Sequence, residues 1–183
     1  MNGEDAMVTV LFVDIRDFTP FADRVTAREA VALLNEFFGV VVPVLEAHGG
    51  RAHQFLGDGL LGVFGAPEPL PDHADRAVDA AGAIIAAVEA RFGERCRASV
   101  GVNSGLVLVG TIGGGTRYEL GIIGDPVNVA ARVEQATRRT GDSVLVTEAT
   151  RCLMERDGLE PRGTLELKGK PAPVAVYALG AER

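Results

Sequence analysis

The segment from residue 51 to residue 64 restricts the fold most, because two strand-like stretches are separated only by a tight turn. RAHQFL and LLGVF flank the turn Gly57-Asp58-Gly59. Glycine and aspartate at such a turn are typical of a β-hairpin. A tight turn makes the two strands antiparallel and leaves Asp58 at the tip of the hairpin.

A second strand-like run ends at another carboxylate. Residues 7–14, MVTVLFVD, are rich in Val, Leu and Phe and predict a buried strand that ends at Asp14. Thr26 and Glu29 then fit the capping box of a helix, and Asp72 can cap another helix that runs to residue 92. The first half of the chain therefore alternates strands and helices around two aspartates.

The second half predicts a long protruding hairpin followed by a helix. Strands are expected at residues 97–103 and 106–112, with a returning strand at 118–123 and a helix at 125–139. A short strand, a short helix and two terminal strands around LELKGK and VAVYAL complete the chain. The predicted fold class is α+β, with a ferredoxin-like core and a mostly antiparallel sheet covered by helices on one side.

The bulk composition predicts one folded domain and limits its partners. Length, apolar content and charge are ordinary at 183 residues, 47% and 23%, so we expect a single domain over residues 1–183 with a core at about 8–179. The net charge of -7 opposes binding to nucleic acid and to anionic membranes, because like charges repel. We therefore expect no nucleic-acid partner and no direct membrane contact from this segment.

Cysteine usage and apolar runs predict the compartment. Cys96 and Cys152 form no CxxC motif, and the richest apolar stretch is interrupted by Asn35, Glu36 and Pro43. The N-terminus carries no basic and apolar signal region. We expect a cytoplasmic protein, either alone or as the cytoplasmic part of a larger or membrane-anchored one.

Asp14 and Asp58 are the main candidates for metal chemistry. Pairing their strands would bring a strand end and a hairpin tip side by side. Carboxylate oxygens suit Mg²⁺ or Mn²⁺, and two such ions about 3.5 to 4 Å apart can activate an attacking oxygen and stabilise a leaving one. The alternative is that Asp14 caps a turn and Asp58 belongs to an ordinary hairpin connection.

Three further features suit phosphate and ribose recognition. The IRDFTP loop links a strand to a helix, where backbone N–H groups can bind phosphate. Asn128 and Arg132 lie four apart on one helical face, and Lys168 could reach terminal phosphates. The alternatives are that IRDFTP is an ordinary connecting loop, that Asn128 and Arg132 belong to a solvated helical face, and that Lys168 is a surface lysine.

Three segments in this order resemble the catalytic domain of class III nucleotidyl cyclases of the bacterial type. They are FVDIRDFT, FLGDGLLGVFGAP and IGDPVNVAARVE, and the likeness extends from about Val8 to Leu179. The resemblance implies conversion of a nucleoside triphosphate to a 3′,5′-cyclic monophosphate and pyrophosphate. It also implies two Mg²⁺ or Mn²⁺ ions in each active site.

The resemblance further implies a role for each site residue and a twofold homodimer. One chain would supply the metal aspartates, and its partner the Asn, Arg and Lys groups. The implied residues are Asp14, Asp58 and the Ile15 backbone for metals, Phe18, Thr19 and Lys168 for the triphosphate, and Asn128 and Arg132 for the transition state.

The positions that would read the base depart from the family pattern. Adenylyl cyclases place Lys and then Asp, Thr or Ser there, and guanylyl cyclases tend to have Glu and Cys. This chain has Gln54 and Gly121. We expect weak purine selectivity with ATP favoured, while GTP or a pyrimidine triphosphate is the alternative. Strand alternation predicts that His53 points to the sheet face opposite Gln54.

Two other functions compete with a cyclase. A catalytically silent module that binds nucleotide or only dimerises would explain the unusual base positions. Another metal-dependent nucleotidyl transferase with a polymerase-palm-like fold, such as a diguanylate cyclase, is disfavoured because no GGDEF-like turn is present.

Overall fold

The computed structural model describes residues 3–114, 116–167 and 170–179. Its strands are β1 (Glu4–Ile15), β2 (Arg51–Leu56), β3 (Gly59–Phe64), β4 (Ala98–Gly114), β5 (Arg117–Ile123), β6 (Val144–Thr147), β7 (Leu159–Leu165) and β8 (Val174–Leu179). Its helices are α1 (Phe18–Ala22), α2 (Ala27–Ala47), α3 (His73–Phe92), α4 (Asp125–Thr140) and α5 (Glu148–Arg151).

The strands form one sheet in the order β2-β3-β1-β4-β6-β8-β7, and β5 pairs with β4 beside this path. The first four strands, with α2 and α3 as connections, have the β-α-β-β-α-β arrangement of a ferredoxin-like core. The β4–β6 pair is parallel, and the other pairs described are antiparallel. The predicted α+β fold with its mostly antiparallel sheet is confirmed.

Helices cover both faces of the sheet, so the expectation of one covered face was wrong. Leu11 and Val13 of β1 pack with α2 and α3 in the main core. Val8 and Val10 point the other way and pack in a second cluster with Ala130 of α4. Because successive strand residues alternate between faces, an apolar run such as VTVLFV requires cover on both sides.

The capping box predicted for α2 is present. The Thr26 side chain accepts a hydrogen bond from the backbone N–H of Glu29, and the Glu29 carboxylate accepts one from the Thr26 N–H. Among the described residues, α2 is the helix whose length and composition would also suit a membrane span. Its inward stripe lies in the main core, at Leu33, Phe37, Val41 and Leu45.

Three local expectations differ from the structure. The strands predicted at 97–103 and 106–112 are one strand, because β1 pairs without interruption along residues 98–109 of β4. The strand expected around LELKGK lies earlier, since β7 ends at Leu165 and pairs with β8. Asp72 precedes α3, but its carboxylate binds the Arg76 side chain and caps no backbone N–H.

Gly101 controls how closely α4 approaches the sheet. A Cβ at Gly101 would overlap the backbone of α4 at Ala130 and Glu134, which cannot move without shifting the helix. We therefore expect Gly101→Ala to lower the free energy of unfolding by about 1 to 3 kcal/mol.

Urea denaturation of Gly101→Ala beside Gly39→Ala measures this effect. Gly39 lies inside α2, and an added Cβ there has no neighbour within 4 Å. The control should be neutral or gain up to about 1 kcal/mol from helix propensity. Equal stability of the two variants would contradict the close approach of α4.

Candidate active site

The register of β1 and β3 brings the two aspartates together. Asp14 is paired with Gly59, the residue directly after Asp58. The Asp58 charge raises the pKa of Asp14, which places the two carboxylates within electrostatic reach. The expected meeting of a strand end and a hairpin tip is therefore present, and its metal-binding role remains a prediction.

A third carboxylate, Glu134 of α4, belongs to the same cluster. It is 1% exposed and accepts a hydrogen bond from the Ser99 hydroxyl at 2.5 Å. Burial raises the pKa of Glu134, while Ser99, Arg138 and Arg16 oppose that rise. The sequence patterns did not point to Glu134, although a charged residue on a mostly apolar helix face is an informative signal.

The pKa of the Asp14 carboxyl is raised, and burial is the largest cause. It acts with repulsion from Asp58 and Glu134 to raise the pKa of Asp14 to about 7. Arg138, whose Nη2 lies 3.6 Å from the Asp14 carboxylate, and a hydrogen bond from the Ile15 backbone oppose the rise. The site therefore concentrates negative charge beyond what its own arginines neutralise.

This repulsion predicts that Asp14→Asn stabilises the metal-free protein. Unfolded Asp14 loses its proton near pH 4 and the folded carboxyl near pH 7, so wild-type stability falls as pH rises between these values. Asparagine removes that fall. We expect the variant to be more stable at pH 8 by about 2 to 4 kcal/mol and little changed at pH 4.

Urea unfolding in EDTA at pH 4 and pH 8 tests this expectation. Asp157→Asn is the matched control, because Asp157 is exposed in the segment before β7. It should stay within about 0.5 kcal/mol of wild type at both pH values. A loss of stability in Asp14→Asn at pH 8 would show that the carboxylate makes a favourable contact instead.

The donor set fits divalent cations that are completed by a substrate. In residues 3–114, 116–167 and 170–179, no three His, Cys, Asp or Glu side chains form a metal-binding group by themselves. Mg²⁺ usually takes one or two carboxylates together with substrate phosphates and water. The pair Asp14 and Asp58 matches that pattern and would lose its mutual repulsion on binding a cation.

The loop after Asp14 is anchored by its apolar residues. The Ile15 side chain is 2% exposed, so its backbone is the part that could meet a metal. Asp17 has a left-handed backbone with φ of 57° and precedes α1. Phe18 is half-buried and packs against the core, while Thr19 is exposed. The loop and the first turn of α1, which contains Thr19, can therefore present a hydroxyl and backbone groups to a ligand.

Asn128 and Arg132 lie away from the aspartates of their own chain. Glu134, two residues after Arg132, points into the carboxylate cluster. Two residues correspond to about 200° around a helix, so Arg132 leaves α4 on nearly the opposite side. Asn128 is exposed and lies about 15 Å along the axis from Arg138. Lys168, the predicted phosphate ligand, lies outside the described residues.

Gln54 and Gly121 line one cleft of about 550 Å³. His53 lines it too, so the expectation that His53 faces the opposite side was wrong. The β2–β3 register shifts between Ala52 and Gln54, and a bulge at His53 breaks the simple alternation of side chains. The structure thus joins the two predicted base positions and adds a histidine beside them.

Comparisons with known proteins agree with this architecture. Residues 2–181 match the family described as the adenylate and guanylate cyclase catalytic domain. The chain therefore belongs to that family, and it is a class III nucleotidyl cyclase catalytic domain.

Similar proteins include both kinds of cyclase. The adenylyl cyclase CyaB from P. aeruginosa has a TM-score of 0.89 and 27% identity, covering 100% of this chain and 98% of that one. The guanylate cyclase domain of RhGC from Catenaria anguillulae, in complex with GTP, has a TM-score of 0.85 and 30% identity, covering 98% and 100%. Because both adenylyl and guanylyl cyclases have this fold, the fold does not identify the purine base of the substrate.

An uncharacterized protein of Mycobacterium bovis is 37% identical over 158 residues. The match covers 86% of this chain and 29% of that protein. The chain thus spans less than a third of the length of the curated relatives that it matches.

Proposed function

We propose that this domain converts a purine nucleoside triphosphate, with ATP favoured, to its 3′,5′-cyclic monophosphate and pyrophosphate. The observation that carries the proposal is the strand register that sets Asp58 beside Asp14, both half-buried and near the buried Glu134. Such a concentration of carboxylates suits cations that arrive with an anionic substrate. Family membership supplies the reaction class.

Each site residue would have a role that follows from the chemistry of its side chain. Two Mg²⁺ or Mn²⁺ ions, when bound by Asp14 and Asp58, would lower the pKa of the ribose hydroxyl and neutralise phosphate charge. The Asn128 amide would orient the ribose, and the Arg132 guanidinium would balance charge developing on the α-phosphate. Phe18, Thr19 and Lys168 would hold the triphosphate.

We propose that two copies of the chain share each site. Arg132 leaves α4 nearly opposite Glu134, so it is directed away from the aspartates of its own chain. A partner chain related by a twofold axis would supply the missing group to each site. The isolated chain would then hold only half of each site.

An exposed apolar surface supports this pairing. Its side chains belong to β1, β4 and β5, and register pairs Met7 with Leu106 and Leu108 with Ile123. With Ile112, these five residues are 45–56% exposed. We call them the arm face. Contiguous apolar surface of this kind is typical of a protein interface.

Product identification tests the proposed function. Purified protein with Mn²⁺ is given ATP, GTP, CTP and UTP together and separately, and cyclic products are identified by mass spectrometry. We expect cyclic products from ATP and GTP. A dimer without any cyclic product would support a silent module, and turnover of one triphosphate with the others below a thousandth of its rate would contradict weak purine selectivity.

A further inference from the structure

The cleft that contains Gln54 and Gly121 lies between two strand edges. β2 ends the sheet path, and β5 pairs with β4 alone. Residues 51–54 and 119–123 line the cleft consecutively. In β2 this consecutive lining follows from the bulge at His53, which breaks the alternation of side chains. Backbone groups and side chains are thus both available to a ligand there.

The space beside Gly121 is taken by an apolar side chain. A Cβ at Gly121 would overlap the Ile112 side chain, which reaches across from the paired strand β4. Ile112 itself lines the cleft. Position 121 therefore offers no polar side chain, and Ile112 fills the room that one would occupy.

A carboxylate nearby replaces that missing polar group. Glu119 lines the same cleft, is paired with Ile112 and lies two residues before Gly121, so it shares the sheet face of Gly121. Its charge reaches His53 across the cleft, where it opposes the lowering of the His53 pKa by burial. Glu119, His53 and Gln54 thus converge from the two strands.

We propose that Glu119 is a specificity-determining residue that lets this cleft accept guanine as well as adenine. A carboxylate only accepts hydrogen bonds, and its two oxygens suit a pair of adjacent donors. Guanine presents N1–H and the exocyclic amine side by side, whereas adenine presents one amine beside an acceptor. The Gln54 amide can donate to guanine O6. This inference rests on the proposed cyclase function.

Glu119→Gln tests the inference, with Glu46→Gln on the exposed side of α2 as the matched control. The assay measures kcat/KM for ATP and for GTP with Mn²⁺, and sedimentation checks the oligomeric state. We expect Glu119→Gln to lower kcat/KM for GTP by about tenfold or more and for ATP by less than about threefold, since a charged acceptor is lost. The control should leave both values unchanged.

The outcomes separate this inference from the function it rests on. A wild-type protein that forms no cyclic nucleotide would refute the proposed function itself. With an active wild type, a GTP to ATP ratio that Glu119→Gln leaves unchanged would overturn the role of Glu119. Turnover of ATP alone by wild type, or an equal loss with both nucleotides, would overturn it as well.

Discussion

Asp58→Asn is expected to reduce cyclic-nucleotide formation by about 1000-fold or more while the protein stays folded and dimeric. Asparagine keeps the size of the side chain and suits the turn between Gly57 and Gly59. It removes the negative charge that would attract a metal ion beside Asp14. The loss should therefore fall on catalysis and metal dependence, with little change in stability.

Initial rates across a Mn²⁺ titration, together with light scattering for the dimer, measure this effect. Asp157→Asn, which changes an exposed acidic residue outside the cluster, should retain wild-type rates. Unchanged activity in Asp58→Asn would remove Asp58 from the metal role. A monomeric Asp58→Asn protein would instead assign Asp58 to assembly.

Mixing Asp58→Asn with Arg132→Ala should restore activity that neither variant has alone. In a mixed dimer of two shared sites, one site carries both substitutions and the other carries neither. Random exchange makes half of the dimers mixed, so about a quarter of wild-type activity should return. Such recovery requires that Asp58 and Arg132 act at one site from different chains.

A second mixture provides the matched control. Asp58→Asn and Asp14→Asn change the same half of the site, so every mixed dimer has two damaged sites and no activity should return. Differently tagged chains, co-expressed and purified through both tags, supply only mixed dimers, in which recovery for Asp58→Asn with Arg132→Ala should rise to about half of wild-type activity. Equal recovery in both mixtures, or in neither, would contradict the shared arrangement.

The proximity of Asp14 and Asp58 could be predicted from local sequence patterns, whereas that of Glu134 could not. A buried strand ending at Asp14 and a hairpin turn at Asp58 are both short-range features, and β1 pairing with β3 follows from the ferredoxin-like core. Their proximity could therefore be predicted. Glu134 could not be placed beside them, because its burial depends on α4 packing against Gly101 of a distant strand.

The positions of His53 and Glu119 could not be predicted from the alternation of side chains along a strand. The bulge in β2 turns His53 into the cleft that Gln54 lines, and a bulge is not encoded by the apolar pattern. Glu119 reaches the same cleft from β5, a strand that β2 does not pair with. Their meeting results from the shape of the whole sheet.

The sequence by itself determined the α+β class and the order of the main elements, because strand runs, capping boxes and turns are local signals. Three motif segments also indicated the cyclase family, which the family match confirms. Tertiary structure alone decided that helices cover both sheet faces and that Glu134 joins the aspartates. Those facts depend on register and helix rotation, where one residue changes the direction of every side chain. For the same reason, the cleft lined by Gln54 and Gly121 could not be predicted before the sheet placed β2 and β5 together.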